Sequence, residues 1–256
     1  MKTDSVLLDR IVAIAEDAGR AILRHYRTDV AVERKADSSP VTVADREAEA
    51  LIVEALGTID PDVPVVAEEA VAAGTAPREG GERFWLVDPL DGTREFIGGT
   101  DEFTVNIGLV RDGIPVLGVV HAPALGETYG GLVPGGAWRA RSGAARQAIA
   151  ARSVPTEGPA VLSSRRHGDR GRLDEMLARM EVARHRTVGS SLKFCLVAAG
   201  EGDIYPRYGE TNEWDTAAGH AVLLAAGGSV RTLDGASLSY GKPGFRNPEF
   251  VARGRG

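Results

Sequence analysis

The chain of 256 residues carries 30 basic and 36 acidic side chains, a formal net charge of −6, and 43% apolar residues, enough for one large domain or two small ones with a sizeable core. One cysteine, Cys195, excludes a disulfide framework, and the negative balance argues against a nucleic-acid polymer as partner. No apolar run approaches the roughly 20 residues of a membrane span.

Leu7, Ile11, Ile14, Ala18 and Ile22 recur at steps of three and four and predict an amphipathic helix, with Asp4 or Ser5 available as its N-cap. A second helix is expected over 43–56, capped by Thr42, with Asp45 in its first turn and Gly57 at its end. Residues 63–67 are apolar and β-branched, hence a buried strand that ends at Glu68-Glu69. A loop over 72–83 precedes a second short strand, 84–87, which ends in Asp88. Residues 103–110 and 114–121 form a hairpin across Arg111-Asp112-Gly113, whose Asp-Gly is a strong turn signal. Further strands are expected at 128–133 and 137–140. The polar stretch 141–159 marks a division, giving an α+β part over 1–145 and an α/β part over 146–256. In the second part strands are expected at 161–162, 203–205, 229–232 and 250–252. Helices are expected at 173–180, 192–199 and 214–226, the last stopped by Gly227-Gly228. Strands with intervening helices point to a layered α/β (α+β) architecture.

The informative feature is where the carboxylates fall. Glu68 follows Val65-Val66-Ala67, and Asp88 follows Trp85-Leu86-Val87. Asp88 leads into Pro89-Leu90-Asp91-Gly92-Thr93, a tight turn that brings Asp91 round beside it, and the last helix starts near Asp215. Any one acid at a strand end is ordinarily a solvated edge residue. If these strand ends and this helix start converge, Glu68, Asp88, Asp91 and Asp215 form one cluster. Two unit charges about 4 Å apart repel by roughly 4 kcal/mol at an effective dielectric near 20, so such a cluster needs a cation. All-oxygen ligands point to Mg²⁺ first, with Mn²⁺ or Ca²⁺ as competitors.

The segment WLVDPLDGTREF (85–96), with Lys35, Ser39-Pro40-Val41-Thr42, Ala67-Glu68-Glu69, GSSLKFC (189–195) and EWDTAAGHAVLLAAGG (213–228), resembles the inositol monophosphatase family of Mg²⁺-dependent, lithium-sensitive phosphatases. The likeness covers nearly the whole chain. Inositol phosphatases usually carry Thr-Asn-Phe after the aspartate–threonine turn. Here Arg94-Glu95-Phe96 stands there, similar to the 3′(2′),5′-bisphosphate nucleotidase (CysQ-type) branch. Residues 190–195, Tyr205-Pro206-Arg207 and Ser164-Arg165-Arg166-His167 lean the same way, the last departing from the usual Ser-Arg-Ser-His at Arg166.

The resemblance implies an inositol-monophosphatase-like layered α-β-α-β-α sandwich with the site between its halves. It implies one metal ion on Glu68, Asp88 and the Leu90 carbonyl, a second on Asp88, Asp91 and Asp215, and a weaker third near Asp45. Mn²⁺ is the expected substitute, and Ca²⁺ and Li⁺ the expected inhibitors. The cations would neutralise the phosphate, lower the pKa of a bound water and stabilise the leaving oxygen. Asp45 would orient and deprotonate Thr93, which with Glu68 orients the attacking water. Gly92 and Thr93 open a helix whose amides can face phosphate oxygens. Gly189-Ser190-Ser191 is either a second such terminus, contacting with Lys193 and Arg207 the ribose or second phosphate, or a plain N-cap. Asp215 serves substrate as well as metal, and His167 enters the substrate site through the likeness alone. Arg165-Arg166 is either an anion contact or a solvated pair. Lys35 either approaches the metal region or lies on the surface after a strand at 30–32. Cys195 reads as a buried, inert thiol, and Trp85 and Trp214 as packing around the ligands. The histidines lack metal-ligand spacing, which argues against zinc.

The expected activity is therefore Mg²⁺-dependent hydrolysis of the 3′-phosphate of adenosine 3′,5′-bisphosphate (PAP) to AMP and phosphate. The sulfated nucleotide PAPS, going to APS, is a second substrate, so that the enzyme clears a by-product of sulfate assimilation. The runner-up is an inositol-1-phosphate or other sugar-phosphate monoesterase. A non-catalytic protein on the same fold would lack a ligand carboxylate, and none is missing. The expected partner is a small phosphorylated nucleotide, with no integral membrane association, and the chain is a monomer or homodimer. MKTDSVLLDR carries charge where a secretory leader would be apolar, so the expected location is the cytoplasm, peripheral association with the inner membrane being left open.

Overall fold

The computed structural model describes residues 2–28, 31–35, 40–165 and 168–256. Helix α1 (Lys2–His25) buries the stripe Leu8, Ile11, Ala15, Ala18 and Ile22, and it starts early enough that Asp4 and Ser5 lie inside it rather than capping it. Strands β1 (Val32–Arg34) and β2 (Pro40–Thr42) pair antiparallel, and Ser39 lies outside the described residues. Thr42 caps α2 (Val43–Ile59) and forms a capping box with Asp45. The helix passes the expected stop at Gly57, because a helical glycine costs only about 1 kcal/mol and Ile59 still packs on the core.

Strand β3 (Val65–Ala67) runs straight into a short helix α3 (Glu68–Ala72), which takes in the first residue of the expected loop. Then come β4 (Arg83–Asp91), α4 (Thr93–Ile97), β5 (Thr104–Arg111), β6 (Ile114–Ala122), β7 (Glu127–Leu132), β8 (Gly136–Arg141) and β9 (Gln147–Ile149). The strands β3 to β9 form one seven-stranded sheet in chain order, β3 and β4 parallel and the rest antiparallel. At the β5–β6 turn Asp112 and Gly113 both have positive φ, 51° and 74°, as a two-residue hairpin requires. Strand β9 carries this sheet past residue 145.

The chain continues through β10 (Ala160–Ser164), α5 (Arg170–Ala178), β11 (Arg184–Val188), α6 (Leu192–Ala198), β12 (Ile204–Arg207), β13 (Thr211–Asn212), α7 (Ala217–Ala225), β14 (Ser229–Thr232), a 3-10 turn (Pro243–Phe245), β15 (Arg246–Asn247) and β16 (Phe250–Arg253). A second sheet has the order β11-β10-β12-β16-β14, and β13 pairs with β15. The charged β11 carried no strand pattern, and α7 begins three residues later than expected, after a turn over 214–216.

Helices α1 and α2 cover one face of the first sheet, over a core that includes Ile11, Ile52, Trp85 and Phe103. Helix α7 covers the other face, and α6 packs beside it and against the second sheet. Helix α5 lies over the far face of that sheet, where Leu173 shares a cavity with Ser163, His185 and Pro206. The layers are thus α-β-α-β-α. Three glycines let α7 sit close: a Cβ on Gly118 would lie 2.2 Å from the Ala218 carbonyl, one on Gly108 2.9 Å from Ala218 N, and one on Gly131 2.6 Å from Val222 Cα. No described helix is long and apolar enough to cross a membrane.

Candidate active site

The strand ends and helix starts meet at a cavity of about 430 Å³ between the two sheets, lined by Glu68, Asp88, Asp91, Thr93, Asp215 and Arg207 among others. Asp88 and Asp91 come from the end of β4, Glu68 from the start of α3, and Asp215 from the turn before α7. Gly92 takes φ 91°, a left-handed turn that carries the chain from Asp91 into α4 and sets Thr93 at its first position.

The four acids ring the cavity instead of closing on one another. Among the described residues, no group of three or more His, Cys, Asp or Glu side chains is gathered as a metal cage. Each carboxylate has partners of its own. Asp88 accepts from Leu90 N (3.1 Å), Asp91 from Ser191 N (2.6 Å) and Asn106 Nδ2 (3.3 Å), and Asp215 from Asn212 N (2.9 Å). Glu68 is drawn to Lys35, whose Nζ lies 2.5 Å from Glu68 and 2.6 Å from Glu69. That resolves Lys35 in favour of the acidic site.

The charges nevertheless act on each other. Burial, and then repulsion from Glu68, Asp91 and Asp215, pushes Asp88 well above the usual carboxylate range. Burial, Asp91 and Glu68 do the same to Asp215. Asp91 is pushed up to about 6 by burial, with Lys193 opposing. Glu69 is pushed up to about 7, again by burial, despite Lys35. Asp88, Asp91 and Asp215, desolvated and lining one cavity together with Glu68, are oxygen donors of the kind that suits hard divalent cations.

Asp45 is buried at the foot of α2, and burial raises its pKa. Its Oδ2 accepts from Thr42 N (2.8 Å) and Thr42 Oγ1 (2.7 Å), while Oδ1 accepts from Thr93 Oγ1 at 3.2 Å. The Thr93 hydroxyl also lies 3.2 Å from the Leu90 carbonyl. The expected Asp45–Thr93 pair is therefore in place.

The expected substrate residues divide. Ser191 is turned inward: its amide holds Asp91, and its hydroxyl donates to Asn106 Oδ1 (2.7 Å) and lies 2.9 Å from Thr104 Oγ1. Lys193 is buried with its pKa lowered to about 8 by desolvation, and its Nζ donates to the carbonyls of Val188 and Ser190. These two support the 188–191 turn and Asp91. Ser190, at φ 47°, lines the cavity, as does Arg207, which donates to Ser164 Oγ (2.9 Å) and the Glu210 carbonyl (2.8 Å) and leaves its buried Nε without a partner. Arg165 also lines the cavity, pinned by Glu102 at 2.6 Å; Arg166 and His167 lie outside the described residues.

Cys195 is buried and its thiol pKa is raised by burial, which makes it inert. Trp85 and Trp214 are buried as packing. Two supporting acids were not anticipated. Glu49 accepts from the amides of Glu69 (2.7 Å) and Ala70 (2.8 Å), fixing the start of α3 and with it Glu68. Glu102 accepts from Gly189 N (2.9 Å) and so ties the 188–191 turn to the first half.

A family model described as the inositol monophosphatase family matches residues 4–252. The chain belongs to the inositol monophosphatase family. This family member is 45% identical over 247 residues to the 3′(2′),5′-bisphosphate nucleotidase CysQ of Escherichia coli K12, covering 95% of the chain and 98% of the relative. It is 38% identical to the protein of the same name from Buchnera aphidicola, over 96% and 93% of the two chains. Among solved structures, the CysQ of Bacteroides thetaiotaomicron, described as a bacterial member of the family, superposes with a TM-score of 0.82 at 32% identity over 98% of both chains. The Thermotoga maritima inositol monophosphatase superposes at 0.79 with 29% identity, over 99% of this chain and 92% of that one.

Proposed function

We propose that the protein is a Mg²⁺-dependent phosphatase that removes the 3′-phosphate of adenosine 3′,5′-bisphosphate to give AMP and phosphate, and that converts PAPS to APS in the same way. The observation that carries this reading is the 45% identity to a bisphosphate nucleotidase across 95% of the chain, against 29% to an inositol monophosphatase over a comparable span. Arg94-Glu95 after the aspartate–threonine turn supports the same branch.

Glu68, Asp88, the Leu90 carbonyl, Asp91 and Asp215 would hold the metal ions. Divalent cations bound there supply the charge that offsets the phosphate and the leaving oxygen. The rest of the work falls to the chain itself. Asp45 accepts from Thr93, which turns the Thr93 oxygen toward the attacking water and draws a proton off it. Gly92 brings backbone close to the phosphate without a side chain in the way. Arg207, which lines the cavity, offers a cation to the second phosphate.

The deciding measurement compares kcat/KM for adenosine 3′,5′-bisphosphate and for inositol-1-phosphate at saturating Mg²⁺. A preference of about tenfold or more for the nucleotide is expected. A preference of that size for the inositol ester overturns the assignment.

A further inference from the structure

Glu95 is a buried carboxylate that the reaction outlined above leaves idle. It is 6% exposed and lines the same cavity as Asp88, Asp91 and Asp215. It stands two residues beyond Thr93 on α4. The other buried acids of the cavity wall have donors: Asp88 has Leu90, Asp91 has Ser191 and Asp215 has Asn212, and Glu102 behind the 188–191 turn has Arg165 and Gly189. No described residue donates a hydrogen bond to the Glu95 side chain. Lys193, the buried cation that feels its charge, spends its ammonium on the Val188 and Ser190 carbonyls. The wall opposite is shaped for this side chain, because a Cβ on Gly189 would come within 2.9 Å of Glu95 Cγ.

A carboxylate without donors is costly to bury, and one that faces a cavity is satisfied by whatever enters it. An ionised carboxylate only accepts hydrogen bonds, so the entering group has to donate. Within a helical turn of Thr93, that group belongs to the part of the substrate next to the scissile ester. On a 3′-phosphorylated ribose the neighbouring carbon carries the 2′-hydroxyl.

We propose that Glu95 accepts a hydrogen bond from the hydroxyl vicinal to the scissile phosphate, the ribose 2′-hydroxyl of the nucleotide, and is thereby a specificity-determining residue. The proposal rests on the nucleotidase reading. It gives Glu95 one rejection: a 2′-deoxy sugar leaves the carboxylate buried and unpaired.

The test measures kcat/KM of wild type, Glu95→Ala and Glu95→Gln on adenosine 3′,5′-bisphosphate and on its 2′-deoxy analogue. Wild type is expected to prefer the ribonucleotide by about 10- to 100-fold, as for a hydrogen bond to a charged group. In Glu95→Ala the ratio is expected to fall to within about twofold. Glu95→Gln keeps the shape and one accepting oxygen and is expected to lie between, which covers the case of an Ala variant that does not fold. A wild-type ratio near one, or a ratio unchanged in either variant, overturns the proposal. A wild-type enzyme that hydrolyses inositol-1-phosphate and neither nucleotide overturns instead the functional reading beneath it.

Discussion

The two oxygens of Asp45 have separate duties. Oδ2 closes the capping box with Thr42, and Oδ1 takes the Thr93 hydroxyl. Asp45→Asn keeps the size but puts an amide where two acceptors are needed. It is expected to lower kcat by about 100-fold or more, in the range of a lost acid–base group, with KM nearly unchanged. Thr42→Val removes the cap and one of the two donors to Oδ2 but leaves Oδ1 on Thr93, and its main expected effect is about 1 kcal/mol of stability. Steady-state kinetics and urea denaturation on the two variants separate the duties; a kcat loss below tenfold in Asp45→Asn counts against the role of Oδ1. The Thr42–Asp45 pair was legible in the sequence because a capping box is local. Glu49 and Glu102 were not, because the amides that they hold lie 20 and 87 residues away.

The element that matters most to the site is α7, since Asp215 sits in the turn that leads into it. The sequence reads as if the helix began at Trp214. It begins at Ala217 because distant groups pin the preceding turn. Glu213, fully buried, accepts from Gly241 N (2.8 Å) and Lys242 N (3.0 Å), and Asn247 Nδ2 donates to the Asn212 carbonyl (2.8 Å) and Thr216 Oγ1 (2.9 Å). Strand β11 was hidden for a different reason: Arg184, His185, Arg186 and Thr187 are all exposed at a sheet edge, so no alternation marks it. The hairpin, the capped α2 and the strands ending in acids were legible because their signals lie within a few residues. Two glycine substitutions are expected to have opposite signs. Gly118→Ala drives a methyl into the α7 backbone and is expected to cost about 1–3 kcal/mol by overpacking, with kcat reduced as Asp215 shifts. Gly57→Ala adds a methyl in open space within a helix and is expected to gain up to about 1 kcal/mol. Denaturant midpoints check both, and a Gly118→Ala protein as stable as wild type would refute the close seating of α7.

At the scale of the molecule, burial sets two groups of side chains against each other. Asp91 is raised to about 6, and Asp88 and Asp215 are raised as well, so in the metal-free protein they hold protons that the unfolded chain has released. The contribution of Asp91 to stability therefore falls as pH rises from about 4 through 6, and Asp88 and Asp215 act in the same direction. His121 and His220 are lowered by burial to about 4 and about 3, so the unfolded chain takes up protons first and stability falls as pH drops below 6.5. Divalent cations bind the deprotonated carboxylates and remove the first penalty only where those groups are ionised. Mg²⁺ at about a hundredfold excess over its Kd is expected to raise Tm by about 5 °C or more at pH 7.5. At pH 5, where protons compete, the rise is expected to be much smaller. Thermal scans with and without Mg²⁺ at both pH values decide this, and equal shifts would contradict the raised carboxylates.

One apolar cluster includes Phe84 and Tyr129 from the first sheet together with Phe194, Trp214 and Phe250 from the second half. The walls of the cavity are therefore rooted in the same packed interior, which leaves little room for the halves to swing apart and re-form round different guests. Change in substrate over evolutionary time has to be written on the rim, in segments such as 92–95, 189–191 and 208–210. There a side chain can be exchanged without disturbing a sheet face. Arg94-Glu95 lies on that rim, a dipeptide that, with the role proposed for Glu95, would redirect the catalyst while the scaffold stays as it is.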